Sequence, residues 1–213
     1  MRVLIACEYS GVIRDEFTKL GHLAVSCDLL PSDTQGYHYQ GDVFDILDSD
    51  QWDLLIAHPP CTYLSNAGAC RMYPKKGVLD LNRFRKSQYA ALFFRKLLNS
   101  NIKRICIENP LPMKICRLPE PTQIIQPYQF GEPYSKRTLL WLKNLPKLNP
   151  TKIVHQYVPF VPSGTSRKLG GISYGAAPRG DDSKNRSKTF LGIAQAMATQ
   201  WSEFNDKNEV AYD

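Results

Sequence analysis

Four short apolar runs, each stopping at a polar or reactive residue, constrain this chain more than any other feature. Arg2 to Cys7 meets Glu8-Tyr9-Ser10-Gly11, Leu23 to Cys27 ends at Asp28, Leu54 to Ala57 ends at His58-Pro59-Pro60-Cys61, and Arg104 to Ile107 ends at Glu108-Asn109-Pro110. Runs of this length are strand-sized. After the first, Ile13, Phe17 and Leu20 recur at helical spacing before Gly21, which marks a helix stop. Between the third and fourth, Tyr89, Leu92, Phe93 and Leu97 recur beside Lys86, Arg95 and Lys96, predicting a crossover helix with one buried face. Strand, helix, strand order predicts an α/β fold with a mainly parallel sheet. In an open sheet of that kind the ligand crevice lies beyond the carboxyl ends of the strands, so the four endings are expected to meet at one site.

The remainder of the chain adds less. Thr138 to Leu142 reads as a later strand, closed by Asn144 and Pro146, and Phe190, Ile193, Ala194, Met197, Ala198 and Trp201 form an amphipathic helix. Residues 159–188 are rich in Gly, Ser, Pro and basic side chains, which predicts a loop or small excursion, and 205–213 is expected to be a frayed tail. A chain of 213 residues is sized for one domain over 1–213 with a core of normal size. No apolar run approaches the roughly 20 residues of a membrane span, and Glu8 interrupts the only stretch that imitates a signal peptide. A cytoplasmic protein without a membrane partner is expected. Six cysteines with no CxxC pair make neither a disulfide framework nor a zinc signature, and no metal is expected. The net charge of +7 suits a polyanionic partner or a solvated basic surface.

Several residues carry candidate chemistry. Gly11 supplies a turn after the first strand, and Asp28 follows at the end of the second, where an acidic side chain can accept from ribose hydroxyls. Asp42, after Gly41, is a further acceptor suited to an adenine amino group; for both aspartates a helix cap or turn is the alternative. The paired prolines before Cys61 stiffen the loop and present its thiol at a strand end, where a lowered pKa would make it a nucleophile. Cys7, Cys27, Cys70, Cys106 and Cys116 are read as packing residues, and His58 as a structural loop residue rather than a base. Glu108, desolvated at the end of an apolar strand, is expected to have a raised pKa and to deliver a proton near neutrality, or else to accept from local amides. Lys136-Arg137 aim a cation into the crevice or form a solvated turn.

Cys61 after paired prolines, then Glu108-Asn109-Pro110, then Ser135-Lys136-Arg137-Thr138, in that order, resembles the DNA (cytosine-5) methyltransferases. Gln126-Pro127-Tyr128-Gln129-Phe130-Gly131 running into Pro133 to Thr138, with Arg186-Ser187-Lys188-Thr189-Phe190, resembles a compact phage and prophage branch of that family, over residues 2–201. The resemblance implies a three-layer, Rossmann-like class I sheet that binds S-adenosylmethionine, in a bacterial or phage-infected cell. It assigns Tyr9, Ser10, Gly11 and Val12 to the methionine part, Asp28 to the ribose, Asp42 to the adenine, and Pro59, Ser187 and Thr189 to the cofactor pocket. It makes Cys61 the nucleophile at C6 of cytosine, Glu108 the contact to the ring nitrogen and Arg137 the contact to the ring carbonyl. Thr62 stands where the family has Gln, and Pro110 where it has Val. Between the basic strand and the terminal helix only a short basic stretch stands in place of a full target-recognition domain. Lys136, Arg167, Lys168, Arg179 and Arg186 are the expected contacts to DNA, duplex or single-stranded. The same chemistry on a free pyrimidine nucleotide, and a catalytically inactive methyltransferase fold that binds DNA or a protein, remain open. Amino-group methylation is a further alternative, because His58-Pro59-Pro60 also resembles the Pro-Pro loops of those enzymes, which place an aromatic residue where Cys61 stands.

Overall fold

The computed structural model describes residues 1–49, 51–160, 168–169, 172–173 and 188–204. Its centre is a seven-stranded sheet of β1 (Arg2–Ala6), β2 (Leu23–Asp28), β3 (His38–Gln40), β4 (Leu54–Ala57), β5 (Arg104–Asn109), β6 (Gln123–Ile125) and β7 (Thr138–Lys143). The strand order is β3-β2-β1-β4-β5-β7-β6. The first five of these in space run parallel, whereas β7 is antiparallel to both β5 and β6. The Rossmann-like α/β sheet expected from the sequence is therefore present, with one reversed strand.

Alternation along β1 and β4 decides the layers, because successive side chains of a strand point to opposite faces. Leu4, Ala6, Leu55 and Ala57 enter one core, with Ile105, Ile107, Leu139 and Trp141; Val3, Ile5, Leu54 and Ile56 enter the other, with Cys106 and Leu140. The first core is covered by α2 (Val43–Ile46) and by α4 (Leu81–Leu98), which follows the single turn α3 (Ala69–Met72). Phe94 of α4 packs edge-on against Trp141, with ring centroids 4.9 Å apart. The second core is covered by α1 (Val12–Lys19) and α5 (Leu191–Ser202) through Ile13, Phe17, Ile193, Ala194, Met197 and Trp201. Three layers result.

Two expectations about helix faces are corrected. Leu20 is 48% exposed and caps α1 rather than entering the core. In α4 the stripe that packs on the sheet is Ser87, Ala91, Phe94 and Leu97, whereas Tyr89 and Leu92 are 74% and 61% exposed. The physical reason is that a second stripe at helical spacing, Lys86, Tyr89, Ala90 and Phe93, faces a cleft beside the sheet's carboxyl edge. The strands β3 and β6 have no counterpart in the sequence reading. Residues 161–167, 174–187 and 205–213, on which most of the expected basic excursion and the tail fall, lie outside the described residues. Among the described residues no helix is long and apolar enough to cross a membrane.

The start of α5 is fixed by contact with the segment before β7. A Cβ on Gly192 would lie 1.8 Å from the Phe130 carbonyl oxygen, so only glycine lets the helix approach this closely. Gly192→Ala must displace backbone and is expected to destabilise by about 2–3 kcal/mol, toward the upper end of overpacking costs, as read from the urea midpoint at unchanged slope.

Candidate active site

The carboxyl ends of β1, β4 and β5 are neighbours on one edge of the sheet, and the residues that follow them are tied together. At the end of β1 the chain turns through Cys7, in the left-handed region at φ 59°, and Gly11 at φ 74°. Glu8, 5% exposed, closes this turn: its carboxylate accepts from the amide of Ile13 at 2.8 Å and from that of Arg14 at 3.4 Å. It therefore caps α1, whose N-cap Gly11 has no side chain to do so. Burial raises the Glu8 pKa, while the Ile13 amide, His58 and Arg14 oppose the rise. Arg14, 1% exposed, reaches from α1 to Ser26, Ser32, Thr34 and Gln35 and holds residues 32–36 over the turn.

Two bonds join β4 to β5 beyond the sheet. Asn109, fully buried, donates from Nδ2 to the Pro59 carbonyl at 2.8 Å, and His58 Nδ1 lies 3.2 Å from Glu108 Oε2. The loop that bears Cys61 is thus bolted to the end of β5, which bears Glu108. Cys61 itself is exposed, and its carbonyl accepts from the amides of Leu64 and Ser65, which winds the loop into a tight turn. Arg83 donates to the Thr62 carbonyl at 2.8 Å and lies over the Tyr63 ring with Lys86, so α4 clamps the other side of the loop. Reasoning from the sequence assigned no function to His58 or Asn109; the pairing of the two strand ends is visible only once β4 and β5 are known to be adjacent.

Glu108 requires a correction. Burial does disfavour its charge, as the sequence suggested, but the His58 hydrogen bond, the His58 charge and the nearby Lys136 outweigh burial and hold the carboxyl below its ordinary value. In the free protein it is a carboxylate at neutral pH. From the turn before β7, the cation whose charge reaches Glu108 is Lys136, while Arg137 is exposed. Lys136 also lies over the Phe160 and Phe190 rings, which pack with Tyr134 into an aromatic cluster. Lys188 forms an ion pair with Asp33 at 2.8 Å, and the Asp33 amide donates to the Tyr9 carbonyl, so the segment leading into α5 is tied to the turn after β1.

A cleft of about 520 Å³ opens beside these strand ends, lined by Cys7, Asp28, Leu29, Asp42, Val43, Pro60, Tyr63 and the Lys86 to Phe93 stripe of α4, among others. Its walls are mainly apolar, with two carboxylates toward one side, a lining suited to a nucleoside: rings between Leu29, Val43 and Phe93, donors to Asp28 and Asp42. Each aspartate also serves its own backbone. Asp28 accepts from the Leu30 amide at 2.9 Å, and Asp42 caps α2 through the Phe44 amide at 3.0 Å, so both carry the turn or cap role as well as facing the cleft. Of the other expected cofactor residues, Tyr9, Ser10 and Gly11 are buried beneath residues 32–36, and Val12 and Thr189 are half-buried. Pro59 is buried behind Pro60, which lines the cleft in its place. Ser187, Arg167, Arg179 and Arg186 lie outside the described residues, and of Lys168 only the backbone is described, in a two-residue ladder with Ile172–Ser173.

The cysteines divide by environment. Burial together with Asp28 pushes the thiols of Cys7 and Cys27 up to about 12, and burial pushes those of Cys106 and Cys116 up as well. Cys70, expected to pack, is exposed on α3.

No family model and no curated protein matches the chain. Solved structures do resemble it. One is assigned as a DNA modification methyltransferase encoded within an E. coli prophage, with 14% identity, TM-score 0.41, 67% of this chain and 46% of that one covered. Another is a methyltransferase of Entamoeba histolytica, EhMeth, with 15% identity, TM-score 0.46 and coverage of 72% and 57%. A third is a mutant DNMT2 of Spodoptera frugiperda, with 14% identity, TM-score 0.37 and coverage of 76% and 55%. The chain spans about half the length of these structures.

Two outcomes follow from the site's electrostatics. Iodoacetamide at pH 7.5 should label Cys61 and Cys70 within minutes and leave Cys7, Cys27, Cys106 and Cys116 intact, as read by peptide mass mapping; rapid labelling of Cys27 would contradict the burial described. Glu8 has a folded pKa above its unfolded value, so its contribution to stability is complete below the unfolded pKa and is lost as pH rises through the folded pKa. Glu8→Gln keeps the acceptor for Ile13 without that loss, and its urea midpoint should gain on the parent protein as pH rises from 4 to 8.

Proposed function

We propose that this protein transfers a methyl group from S-adenosylmethionine to C5 of cytosine in DNA. The observation that carries the reading is the bolted pair of strand ends, in which Asn109 holds the Pro59 carbonyl and His58 holds Glu108, so that an exposed thiol and a half-buried carboxylate are held on adjoining strand ends, next to the cleft that Pro60 and Tyr63 line. The order of Cys61, Glu108 and Lys136-Arg137 along the chain, which resembles the cytosine-5 methyltransferases, supports it.

S-adenosylmethionine fits the cleft through chemistry already present. Asp28 and Asp42 would accept from the ribose hydroxyls and the adenine amino group, Leu29, Val43 and Phe93 would enclose the ring, and the turn Tyr9 to Val12 with Pro59, Ser187 and Thr189 would complete the pocket. Bound there, the cofactor supplies an electrophilic methyl group. C5 of cytosine is a poor nucleophile, and the role of Cys61 is to change that. Its thiolate adds to C6, the C5–C6 double bond shifts toward the ring nitrogen, and C5 becomes electron-rich. Glu108, a carboxylate in the free protein, accepts from the 4-amino group and shares the proton that N3 takes up from solvent as charge develops. Arg137 would face the ring carbonyl, and Lys136 steadies the same edge. After C5 gains the methyl group, N3 returns its proton to solvent, a base removes the C5 proton and the thiolate leaves C6, which restores the ring.

DNA as acceptor rests on the net charge of +7 and on the basic residues Lys136, Arg167, Lys168, Arg179 and Arg186. The short stretch between β7 and α5 offers little chain for base readout, so weak sequence selectivity, or a base already unstacked, is part of the reading. We read 1–213 as one catalytic domain in which 159–188 is a short basic recognition segment.

Incubation with methyl-labelled S-adenosylmethionine and duplex or single-stranded DNA, followed by nucleoside mass spectrometry, should show 5-methylcytosine. Cys61→Ser should abolish it, and Glu108→Gln should slow it by roughly two to four orders of magnitude. Label in adenine or on the cytosine amino group would overturn the reading. Transfer to dCMP but not to DNA would move the acceptor to a free nucleotide.

A further inference from the structure

Three ionisable side chains crowd the ends of β1, β4 and β5: Glu8, His58 and Glu108. Cys61 and Glu108 have roles in the reaction as read above, and Glu8 caps α1. His58 has none, yet its environment is built. Its side chain is nine-tenths buried, and Nδ1 meets Glu108 Oε2 at 3.2 Å. A carboxylate only accepts, so Nδ1 carries the proton and Glu108 fixes the tautomer of the ring. The other ring nitrogen, Nε2, is buried without a hydrogen-bond partner among the described residues. Leaving a buried polar atom unpaired costs on the order of 1–3 kcal/mol, which an apolar side chain in the same space would avoid. The imidazole is therefore poorly explained as packing.

We propose that His58 is a positioning residue for Glu108, occupying Oε2 so that Oε1 alone is presented to the edge of the target base. The terminal torsion of a glutamate is broad and two-fold, so a carboxylate anchored nowhere would sample orientations in which neither oxygen meets the ring. One oxygen tied to the end of β4 removes that freedom. Because β4 also carries the Pro59-Pro60-Cys61 loop, the same anchor sets the carboxylate relative to the thiol. This inference rests on the cytosine reading for the identity of the base, though the pairing itself does not.

The charged groups around the pair set the direction of a measurable change. Glu108 faces His58 from β4 and Lys136 from the turn before β7, and on its own strand it disfavours ionisation of Cys106. His58 in turn faces Glu8 from the turn between β1 and α1. Burial raises the Glu108 pKa, and the His58 hydrogen bond, the His58 charge and Lys136 lower it. Removing His58 deletes two of the three lowering influences, so the Glu108 midpoint must move up.

The test uses the full chain with ¹³C-labelled glutamate carboxyls, the Glu108 signal being identified by its loss in Glu108→Gln. The Glu108 midpoint should lie higher in His58→Ala than in the parent protein. In His58→Asn, whose amide can donate from nearly the place of Nδ1 but carries no charge, it should fall between the two. In methyl transfer, His58→Ala should lower kcat on the order of a hundred-fold, the scale of a misplaced catalytic group, with KM for S-adenosylmethionine unchanged, and His58→Asn should restore most of the rate. An unmoved midpoint in both variants overturns the proposal, as does an Asn variant no faster than the Ala variant. If His58→Ala does not fold, the Asn variant decides alone by a midpoint above that of the parent. A moved midpoint in a protein that methylates no cytosine supports the pairing and overturns the cytosine reading, so the two failures are distinguishable.

Discussion

Burial on both faces of the central strands governs where chemistry can stand in this molecule. Every residue of β4 is buried, as are Val3 to Ala6 of β1 and Ile105 to Ile107 of β5. A polar side chain at any of these positions would need a partner inside one of two apolar cores, at a cost of roughly 1–3 kcal/mol if it found none. Polar residues are therefore displaced to the strand ends, and the parallel arrangement of β1, β2, β4 and β5 brings those ends to a single edge. The reversal of β7 completes the edge. Because β7 runs antiparallel, with Leu139 opposite Asn109, its start lies beside the end of β5, and Lys136 arrives next to Glu108.

Convergence alone leaves loops free to move, and the structure restrains them by bonds that cross between elements. Asn109 to Pro59 and His58 to Glu108 join β5 to β4; Arg83 to the Thr62 carbonyl joins α4 to the same loop; Lys188 to Asp33, and Asp33 to Tyr9, join the approach to α5 to the turn after β1. Charge-assisted bonds are stronger where water is excluded, and Arg14, 1% exposed among hydroxyls and carbonyls, is the member of this region held in that way. A reacting group held within a fraction of an ångström needs little reorganisation when substrate arrives, which is the usual reason for such bracing around a site.

Much of the sheet was legible in the sequence because buried strands need long apolar runs, and such runs are conspicuous. The strands β3 and β6 were not, since His38–Gln40 has no apolar side chain besides Tyr39 and Gln123–Ile125 is a short edge strand; both are recruited by neighbours already in place. Helix α4 misled for a different reason. Periodicity reveals that an apolar stripe exists but not what it faces, and Tyr89 and Phe93 turn toward the cleft while Ala91 and Phe94 take the sheet. Glu108 was placed correctly at a strand end, but the direction of its pKa depended on His58, fifty positions away in sequence and adjacent only across the β4 to β5 pairing.

If the cleft holds the proposed methyl donor, its two carboxylates also bear on how that donor and the cysteines coexist. Cys7 lines the cleft beside Asp28 and Asp42, and Cys27 is close by; either would be alkylated by a sulfonium if it ionised. Burial and the aspartates hold both thiols near 12, so at neutral pH roughly one molecule in 10⁴ to 10⁵ carries a thiolate there. The thiolate, not the thiol, is the nucleophile. Thus the negative charge that suits ribose hydroxyls and an amino group also keeps the cleft's own sulfur inert toward a bound electrophile. Cys61 is exposed and does not line the cleft, although its neighbour Pro60 does. Under the proposed chemistry, inert thiols within the cleft are what allow a sulfonium donor to be held there next to the loop that bears the exposed Cys61.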